Sequence, residues 1–283
     1  MKNSHSIFLR ILILLVLLAL PVPQHTAQAA EGPDAAEEAA TSGPRQPETL
    51  SAGNYHNCVI RSDGTLDCWG YSSYGLDTPP SGTFTQVSNG DYHSCALRSQ
   101  GTLDCWGYGV NGETAFPAGT FTQVSAGYGT TCAVRSDGTL ACWGRNAYGE
   151  ATPPTSTLFT QASVGYYHTC GIQSDGTAAC WGIGDYGQST PPTNTLFTQI
   201  SAGHSHNCGV KSDGTLACWG RNNYGQTSAP SGTFTQVSAG GMHSCGLKSD
   251  GTLQCWGLND HGQTTAPAGT FTQVSAGLYH TCA

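Results

Sequence analysis

The chain has 283 residues, of which only 10% are charged, and it carries a formal net charge of -8 at pH 7. Binding to nucleic acid requires a basic patch that neutralises phosphates, so this composition argues against a nucleic-acid partner and against an anionic membrane surface. With so few charges, most of the surface has to be built from Ser, Thr, Asn, Gln, Tyr and Gly.

The first 29 residues are predicted to be a secretory signal peptide. Lys2 and Arg10 make a basic start, residues 11–20 are uniformly apolar, and Ala27-Gln28-Ala29 fits a small-x-small cleavage site. A membrane anchor is the alternative, but the apolar run is shorter than the roughly 20 residues that span a bilayer. We therefore expect a secreted protein, extracellular or held at the cell envelope, with no membrane insertion after cleavage. Residues 30–47 are predicted to be a flexible acidic linker rich in Ala, Glu and Pro.

From residue 48 onwards, one unit of about 37 residues is repeated six times, and a seventh copy stops at the last residue. A fixed period of this length indicates stacked copies of one supersecondary unit rather than a single irregular core. Residues that are constant in every copy are expected to hold the copies together. Residues that differ between copies are free to serve a partner.

Each complete copy predicts a β-hairpin. In the first, residues 55–61 and 65–70 are rich in β-formers, and Ser62-Asp63-Gly64 between them ends in the glycine that such a loop requires. This register places Cys58 opposite Cys68, and opposed cysteines on antiparallel strands are within disulfide reach in an oxidising compartment. The predicted disulfides are Cys58–Cys68, Cys95–Cys105, Cys132–Cys142, Cys170–Cys180, Cys208–Cys218 and Cys245–Cys255.

Two further strands complete the predicted unit. The Thr-Phe-Thr-Gln-Val segment precedes the hairpin, and its Phe84 and Val87 are expected to point to opposite faces. A short fourth strand after Gly75 runs into Pro79-Pro80, which places it at the sheet edge. Both faces of the hairpin are apolar and no helix signal is present. The sequence therefore predicts an all-β propeller of four-stranded antiparallel blades, with six complete repeats and a partial seventh.

The consensus G-x-x-H-x-C-x-L-x-S-D-G-T-L-x-C-W-G-x-N-x-x-G-Q resembles the repeat of the regulator of chromosome condensation family. The match is clearest in residues 203–226 and 240–263 and extends over residues 48–283. The resemblance implies a propeller, commonly of seven blades, closed by pairing strands from the two chain ends, and the cysteine pairs mark a secreted, bacterial-type variant. Family activities range from nuclear guanine-nucleotide exchange and chromatin binding to β-lactamase inhibition by a secreted member. Fold alone therefore leaves function open, and the signal peptide argues against the nuclear role.

The number of blades has two interpretations. Cys282 would pair with a residue ten positions further on, which favours a protein of at least seven blades whose C-terminal part is missing after Ala283. Alternatively, six blades close the ring and the last strand overlaps the first.

Variation between the copies is concentrated in two connections. With the strands of each copy named A to D, the A–B and C–D loops of a meander share one face. The B–C and D–A connections share the other face, where the B–C loop is Ser-Asp-Gly in five copies. The variable loops are rich in Tyr, Asn, Gly, Asp and Arg, a composition typical of adaptable protein-binding surfaces. The predicted partner-binding residues are Tyr55, Tyr74, Asp91, Tyr92, Tyr108, Asn111, Tyr128, Arg145, Tyr148, Tyr166, Tyr167, Asp185, Tyr186, His204, Arg221, Tyr224, Met242, Asp260, His261 and Tyr279.

Three other sets of residues could suggest metal binding or catalysis, which we do not expect. One position holds histidine in six copies but Thr130 in the third, which argues against a ring of metal ligands and favours structural hydrogen bonding. Asp63 and its equivalents could suggest calcium binding, but no dense Asp-x-Asp pattern surrounds them. A role in the turn explains why aspartate occurs there. Single acids on the variable loops leave a glycosidase or lyase as a minor alternative; these are Asp91, Glu113, Glu150, Asp185 and Asp260.

The sequence therefore predicts a non-enzymatic interaction module without metal or cofactor. We expect a monomer whose partner is another protein or a glycan. The alternatives are an enzyme inhibitor of the β-lactamase-inhibitor type, a glycan-binding adhesin and, with the least support, a propeller enzyme.

Overall fold

A computed structural model describes residues 49–283, and the predicted signal peptide and linker lie outside this part of the chain. Seven antiparallel sheets follow one another in sequence, and we number them as blades 1 to 7. The only helix among the described residues is a single 3-10 turn, Ser73–Gly75. No helix in that part of the chain is long and apolar enough to cross a membrane.

Blades 1 to 6 each contain three strands, and blade 7 contains two between residues 49 and 283. The strands are β1 Leu50–Ala52, β2 His56–Ile60 and β3 Leu66–Gly70 in blade 1; β4 Phe84–Asn89, β5 His93–Arg98 and β6 Leu103–Gly107 in blade 2; β7 Phe121–Ala126, β8 Thr130–Arg135 and β9 Leu140–Gly144 in blade 3; β10 Phe159–Val164, β11 His168–Gln173 and β12 Ala178–Gly182 in blade 4; β13 Phe197–Ala202, β14 His206–Lys211 and β15 Leu216–Gly220 in blade 5; β16 Phe234–Ala239, β17 His243–Lys248 and β18 Leu253–Gly257 in blade 6; and β19 Ser275–Ala276 and β20 Thr281–Cys282 in blade 7.

The predicted hairpin register is confirmed. In blade 1, Cys58 lies opposite Cys68. The loop between them turns at Gly64, whose φ of 83° is in the left-handed region that favours glycine. Asp63 Oδ1 accepts hydrogen bonds from the Thr65 amide at 2.9 Å and the Thr65 hydroxyl at 2.6 Å, so this aspartate acts in the turn.

All six predicted disulfides are present. Among the described residues Cys282 is the one free cysteine, and burial raises the pKa of its thiol. The disulfides lie on one face of each blade, where they pack against the next blade. Cys95 and Leu97 of blade 2, for example, share a buried cluster with Phe121 and Val124 of blade 3. Each complete blade is thus covered by a neighbour, as the two apolar faces of the hairpin predict.

One strand prediction was wrong. Phe84 and Val87 were expected on opposite faces, but both belong to the cluster that contains Cys58 and Ile60 of blade 1. The register of β4 against β5 shifts between Phe84 and Gln86. This β-bulge inserts one residue and rotates Phe84 onto the face of Val87. The same shift recurs in blades 3 to 6, so the bulge belongs to the repeat.

The fourth strand of each blade was also predicted and is not formed. The segment after β3 turns on itself, with the Thr78 amide donating to the Gly75 carbonyl at 3.2 Å. Pro79 and Pro80 follow and have no amide proton to give to a neighbouring strand. The blades are therefore three-stranded meanders followed by a compact loop.

Side chains of the first strand in each blade hold the blades to one another. Gln199 of blade 5 bonds the backbone of Val237 in blade 6 twice, accepting from its amide at 2.7 Å and donating to its carbonyl at 2.9 Å. Ser201 Oγ accepts from the amide of Ala239 at 3.0 Å. Equivalent glutamine and serine bonds join blade 2 to 3, 3 to 4, 4 to 5 and 6 to 7, and Ser51 alone makes the serine bond from blade 1 to blade 2. Contacts between blades thus explain why glutamine and serine recur at these two positions.

The same bonds close the ring between blade 7 and blade 1. The Leu50 amide donates to Gln273 Oε1, and the Ala52 amide donates to Ser275 Oγ, both at 2.8 Å. Seven blades, not six, therefore complete the circle. The family resemblance implies closure by strands of both chain ends within one sheet. Here β1 and β19 belong to separate sheets, and side chains make the closure.

Candidate functional site: the loop face

The variable loops of all blades lie on one face of the ring, which we call the loop face. Its A–B and C–D loops are tied in each complete blade by one backbone bond, such as that from the Tyr71 amide to the Tyr55 carbonyl at 2.9 Å. On the opposite face, which we call the turn face, the B–C loop contacts the link that enters the next blade. The Phe84 amide there donates to the Gly64 carbonyl at 2.8 Å. Every predicted partner-binding residue is in a loop-face connection.

Five tyrosines cluster over blades 1 and 2. Tyr55 stacks on Tyr92 with ring centroids 5.0 Å apart, and Tyr74 meets Tyr108 edge-on at 4.9 Å. Tyr71 lies 6.3 Å from Tyr92. All of these rings except Tyr55 border a cavity of about 450 Å³, together with Tyr128 and Arg145.

A second aromatic group extends over blades 3 to 5. Tyr128 stacks on Tyr166 with centroids 3.9 Å apart, and Tyr166 stacks on His204 at 4.0 Å. Tyr167 meets Tyr166 edge-on at 4.3 Å, and Tyr148 lies 5.0 Å from Tyr167. These stacks cross blade boundaries, so residues from separate repeats form one continuous surface.

The remaining part of the loop face is less crowded. His261 meets Tyr279 edge-on at 5.3 Å, and Met242 is half-buried in a cavity that Tyr166 and Tyr279 also line. Tyr224 is 46% exposed. The other predicted residues in exposed positions are Asn111, Asp185, Tyr186 and Asp260.

Asp91 departs from the prediction because it is only 6% exposed. Its Oδ1 accepts a hydrogen bond from the Asn54 amide group of the preceding blade. Burial raises the pKa of the Asp91 carboxyl to about 7, partly offset by that bond. The Asp91 side chain therefore contributes to the contact between blades 1 and 2 rather than to the exposed surface.

Glu113 and Glu150 are buried and serve their own loops. Glu150 Oε2 accepts from the Tyr148 amide at 2.6 Å, and Glu113 Oε2 accepts from the Asn111 amide at 2.8 Å. Neutral glutamines make the same bond in later blades, as Gln226 Oε1 does with the Tyr224 amide at 2.9 Å. These acids are thus loop-shaping residues, and their main-chain carbonyls also accept from the tryptophan of the next blade.

The histidine side chains lie at the contacts between blades. His206 Nε2 lies 2.9 Å from Ser244 Oγ of the next blade, and His280 Nε2 lies 2.7 Å from Asn57 Oδ1 across the closure. Thr130 instead donates to the Arg145 carbonyl at 2.7 Å. Burial lowers the pKa of the histidines, to about 3 for His206. No group of three or more His, Cys, Asp or Glu within residues 49–283 could hold a metal ion.

A narrow opening of about 210 Å³ runs along the axis and leads to the loop face. Every blade contributes a serine and a glycine to its wall. Glycine is required because a Cβ on Gly90 would lie 2.2 Å from the Gly127 carbonyl oxygen of the next blade. Close approach of the blades at the axis thus accounts for the constant glycine.

Sequence reasoning missed the blade-joining glutamines and serines. Gln86, for example, bonds both the amide and the carbonyl of Val124 in the next blade. A signal was present, because the serine recurs in all seven copies and the glutamine in six of them. The sequence did not indicate that their partner is the backbone of a neighbouring blade.

The fold and its repeats define a seven-bladed propeller with one variable face. The family model for the regulator of chromosome condensation (RCC1) repeat matches residues 48–76, 84–113, 121–150, 159–188, 197–226 and 234–263. The chain therefore belongs to the regulator of chromosome condensation repeat family. A comparison with curated proteins gave no match.

Similar solved structures include two plant receptor ectodomains. The CRINKLY WD40 ectodomain of the Arabidopsis thaliana receptor kinase ACR4 is 27% identical, with a TM-score of 0.70 over 83% of this chain and 91% of that one. The ectodomain of the Physcomitrella patens receptor kinase CR4 is 30% identical, with a TM-score of 0.64 over 76% of this chain and 63% of that one. Prp20p from Saccharomyces cerevisiae shares the fold at 16% identity, with a TM-score of 0.69 over 81% and 80% of the two chains.

Proposed function

We propose that this protein is a secreted, non-enzymatic interaction module that binds another protein through its loop face. The observation that carries the proposal is the distribution of exposed tyrosines. Tyr55, Tyr74, Tyr148, Tyr186 and Tyr279 are between 44% and 56% exposed, and all of them lie on the loop face. Tyrosine offers a large, rigid contact area with a polar tip, which suits recognition of a protein surface.

Two observations support an extracellular location. Disulfides persist in oxidising compartments, and six are present in the blades. The similar ACR4 and CR4 structures are receptor ectodomains. Both agree with the signal peptide that the sequence predicts.

Two of the loop-face acids that could suggest catalysis, Glu113 and Glu150, favour a structural role. A general acid or base has to reach a substrate proton. Glu113 and Glu150 are instead buried, and their oxygens accept bonds from loop amides. Precedent for protein partners on this fold comes from Prp20p, which is described with its binding to Gsp1p and histones. We expect the protein to act as a monomer.

The proposal is tested by comparing the two faces. A photo-crosslinking amino acid is placed at Tyr186 on the loop face or at Asp137 on the turn face, and the purified variants are exposed to proteins exported by the host. We expect one discrete adduct from position 186 and none from position 137. Combined alanine substitutions at Tyr92, Tyr167 and Tyr224 should abolish the adduct while circular dichroism stays unchanged. Equal labelling from both faces would overturn the proposal.

A glycan is the second candidate, because the cavity bordered by Tyr71, Tyr74, Tyr92 and Tyr108 offers aromatic faces on which a sugar ring can stack. A glycan array probed with wild type and with Tyr74→Ala distinguishes this role from protein binding. Inhibition assays against exported hydrolases, including β-lactamases, examine the inhibitor alternative. Hydrolysis of the arrayed glycans would instead favour the enzyme alternative.

A further inference from the structure

Two arginines occupy equivalent positions on the loop face but have different surroundings. Arg145 of blade 3 and Arg221 of blade 5 each follow a Trp-Gly pair. Arg145 Nη1 lies 3.3 Å from Glu150 Oε1, and its guanidinium carbon lies 4.1 Å from the centroid of Tyr167. The charge of Arg145 is therefore balanced within its own blade.

Blade 5 lacks that balance because Gln226 replaces the glutamate. Its carboxamide oxygen accepts the Tyr224 amide, as Glu150 accepts the Tyr148 amide, but it carries no negative charge. Within residues 49–283, no carboxylate oxygen lies within 4.0 Å of the Arg221 guanidinium.

The surroundings of Arg221 partly remove it from water. Its Nε is buried and has no hydrogen-bond partner among the described residues. The guanidinium carbon lies 5.1 Å from the centroid of Tyr186. Its positive charge adds to burial in lowering the pKa of His204. The buried Nε is out of reach of a ligand, but the two Nη groups are not buried without a partner, so a ligand carboxylate can meet the guanidinium at that end.

We propose that Arg221 is the binding site for an Asp or Glu side chain of the protein partner. The inference rests on the proposed function and names the chemistry of one contact. A guanidinium binds a carboxylate through two parallel hydrogen bonds, and the ring of Tyr186 holds it in place from one side. The other Lys and Arg residues among the described ones lie at the turn-face ends of their strands, except Arg145. Arg221 is thus the one uncompensated cation of the loop face in that part of the chain.

The chain itself provides matched variants. Gln226→Glu installs the blade 3 arrangement beside Arg221, and Glu150 shows that this position accepts a carboxylate without losing the loop bond. Arg221→Gln removes the charge. Glu150→Gln makes the opposite exchange in blade 3 and leaves blade 5 untouched.

The probe is a phage-displayed library of random twelve-residue peptides, selected on wild-type protein that is immobilised through its turn face. Peptides are kept when Tyr167→Ala or Tyr224→Ala weakens their binding, which restricts them to the loop face. Each peptide is then synthesised in two forms, with its Asp or Glu residues intact or changed singly to Asn or Gln. Dissociation constants are measured for both forms on each protein variant.

We expect one acidic position at which the change to amide weakens binding to wild type about tenfold. The same preference should persist on Glu150→Gln and disappear on Arg221→Gln and on Gln226→Glu. Tyrosine-dependent peptides without such a position, or a preference that survives both blade 5 variants, would overturn the assignment of Arg221 alone. If no peptide from the first selection is weakened by Tyr167→Ala or Tyr224→Ala, the proposed function is overturned as well.

Discussion

The two faces of the ring are built from the same strands, yet they use their polar groups differently. On the turn face, Asp137 Oδ1 accepts both the amide and the hydroxyl of Thr139, at 2.9 and 2.7 Å. The same bonds recur in four other blades, so this loop satisfies its own backbone. The loop face also has constant internal bonds, such as that from the Tyr148 amide to Glu150, but its variable positions add exposed tyrosines that take no part in them. The two faces therefore differ in the side chains they add to a satisfied backbone: the turn face repeats one loop, and the loop face presents different groups in each blade.

The largest expected effect concerns the constant interior between the two faces. Burial lowers the pKa of His56, His168 and His243 to about 4 and of His93 and His206 to about 3. Because an unfolded histidine titrates near pH 6.5, the unfolded state binds more protons below that value. Stability should therefore be full above about pH 6.5 and be lost as the pH falls toward 4. Denaturant midpoints measured from pH 8 to pH 4 give the size of the loss.

The third repeat provides a control for this acid sensitivity, because Thr130 fills the histidine position there. His206→Thr should weaken the dependence of stability on pH by about one proton between pH 6.5 and pH 4. An unchanged slope would mean that the histidines do not cause the acid unfolding.

A smaller loss is expected from one blade-joining side chain. Gln199→Ala leaves the amide and carbonyl of Val237 without their partners, which should lower the free energy of unfolding by about 3 kcal/mol. Gln100→Ala, in an exposed turn, is the matched control and should change it by less than about 0.5 kcal/mol. Equal effects in a urea titration would show that the glutamine bonds between blades contribute nothing.

Asp91 lies on the loop face, but its carboxyl is expected to affect the stability of the fold. Its folded pKa of about 7 exceeds the value of roughly 3.9 in an unfolded chain, so ionisation destabilises the fold increasingly as the pH rises from 4 through 7. The stabilisation by Asp91→Asn should be about 2.5 kcal/mol larger at pH 8 than at pH 5. A stabilisation that is the same at both values would contradict the assigned pKa.

The smallest stability effect is expected at Tyr224. The side chain is 46% exposed, and the loop bond to Gln226 uses only the Tyr224 backbone amide. Tyr224→Ala should therefore change the free energy of unfolding by less than about 0.5 kcal/mol, whereas Phe197→Ala in the core should cost about 3 kcal/mol. Thermal unfolding of both variants provides the measurement. A large loss for Tyr224→Ala would make this tyrosine structural.

Local features were predictable from the sequence. The opposition of Cys170 and Cys180 follows from loop length, because a three-residue hairpin loop fixes the register of its strands. The bulge that brings Phe84 and Val87 to one face was not predictable, since no local signal distinguishes a bulged strand from a regular one. The predicted fourth strand is not formed, because Pro79 and Pro80 have no amide proton to give to a neighbouring strand.

The sequence by itself determined the repeat, the hairpin, the disulfides and the assignment of variable loops to one side, because each depends on contacts within one unit. Tertiary structure decided the rest. Ring closure between Gln273 and Leu50 joins groups 223 positions apart, and the isolation of Arg221 depends on side chains of two blades. Such contacts depend on how the blades pack against one another. The sequence pattern of a single repeat contains no information on that packing.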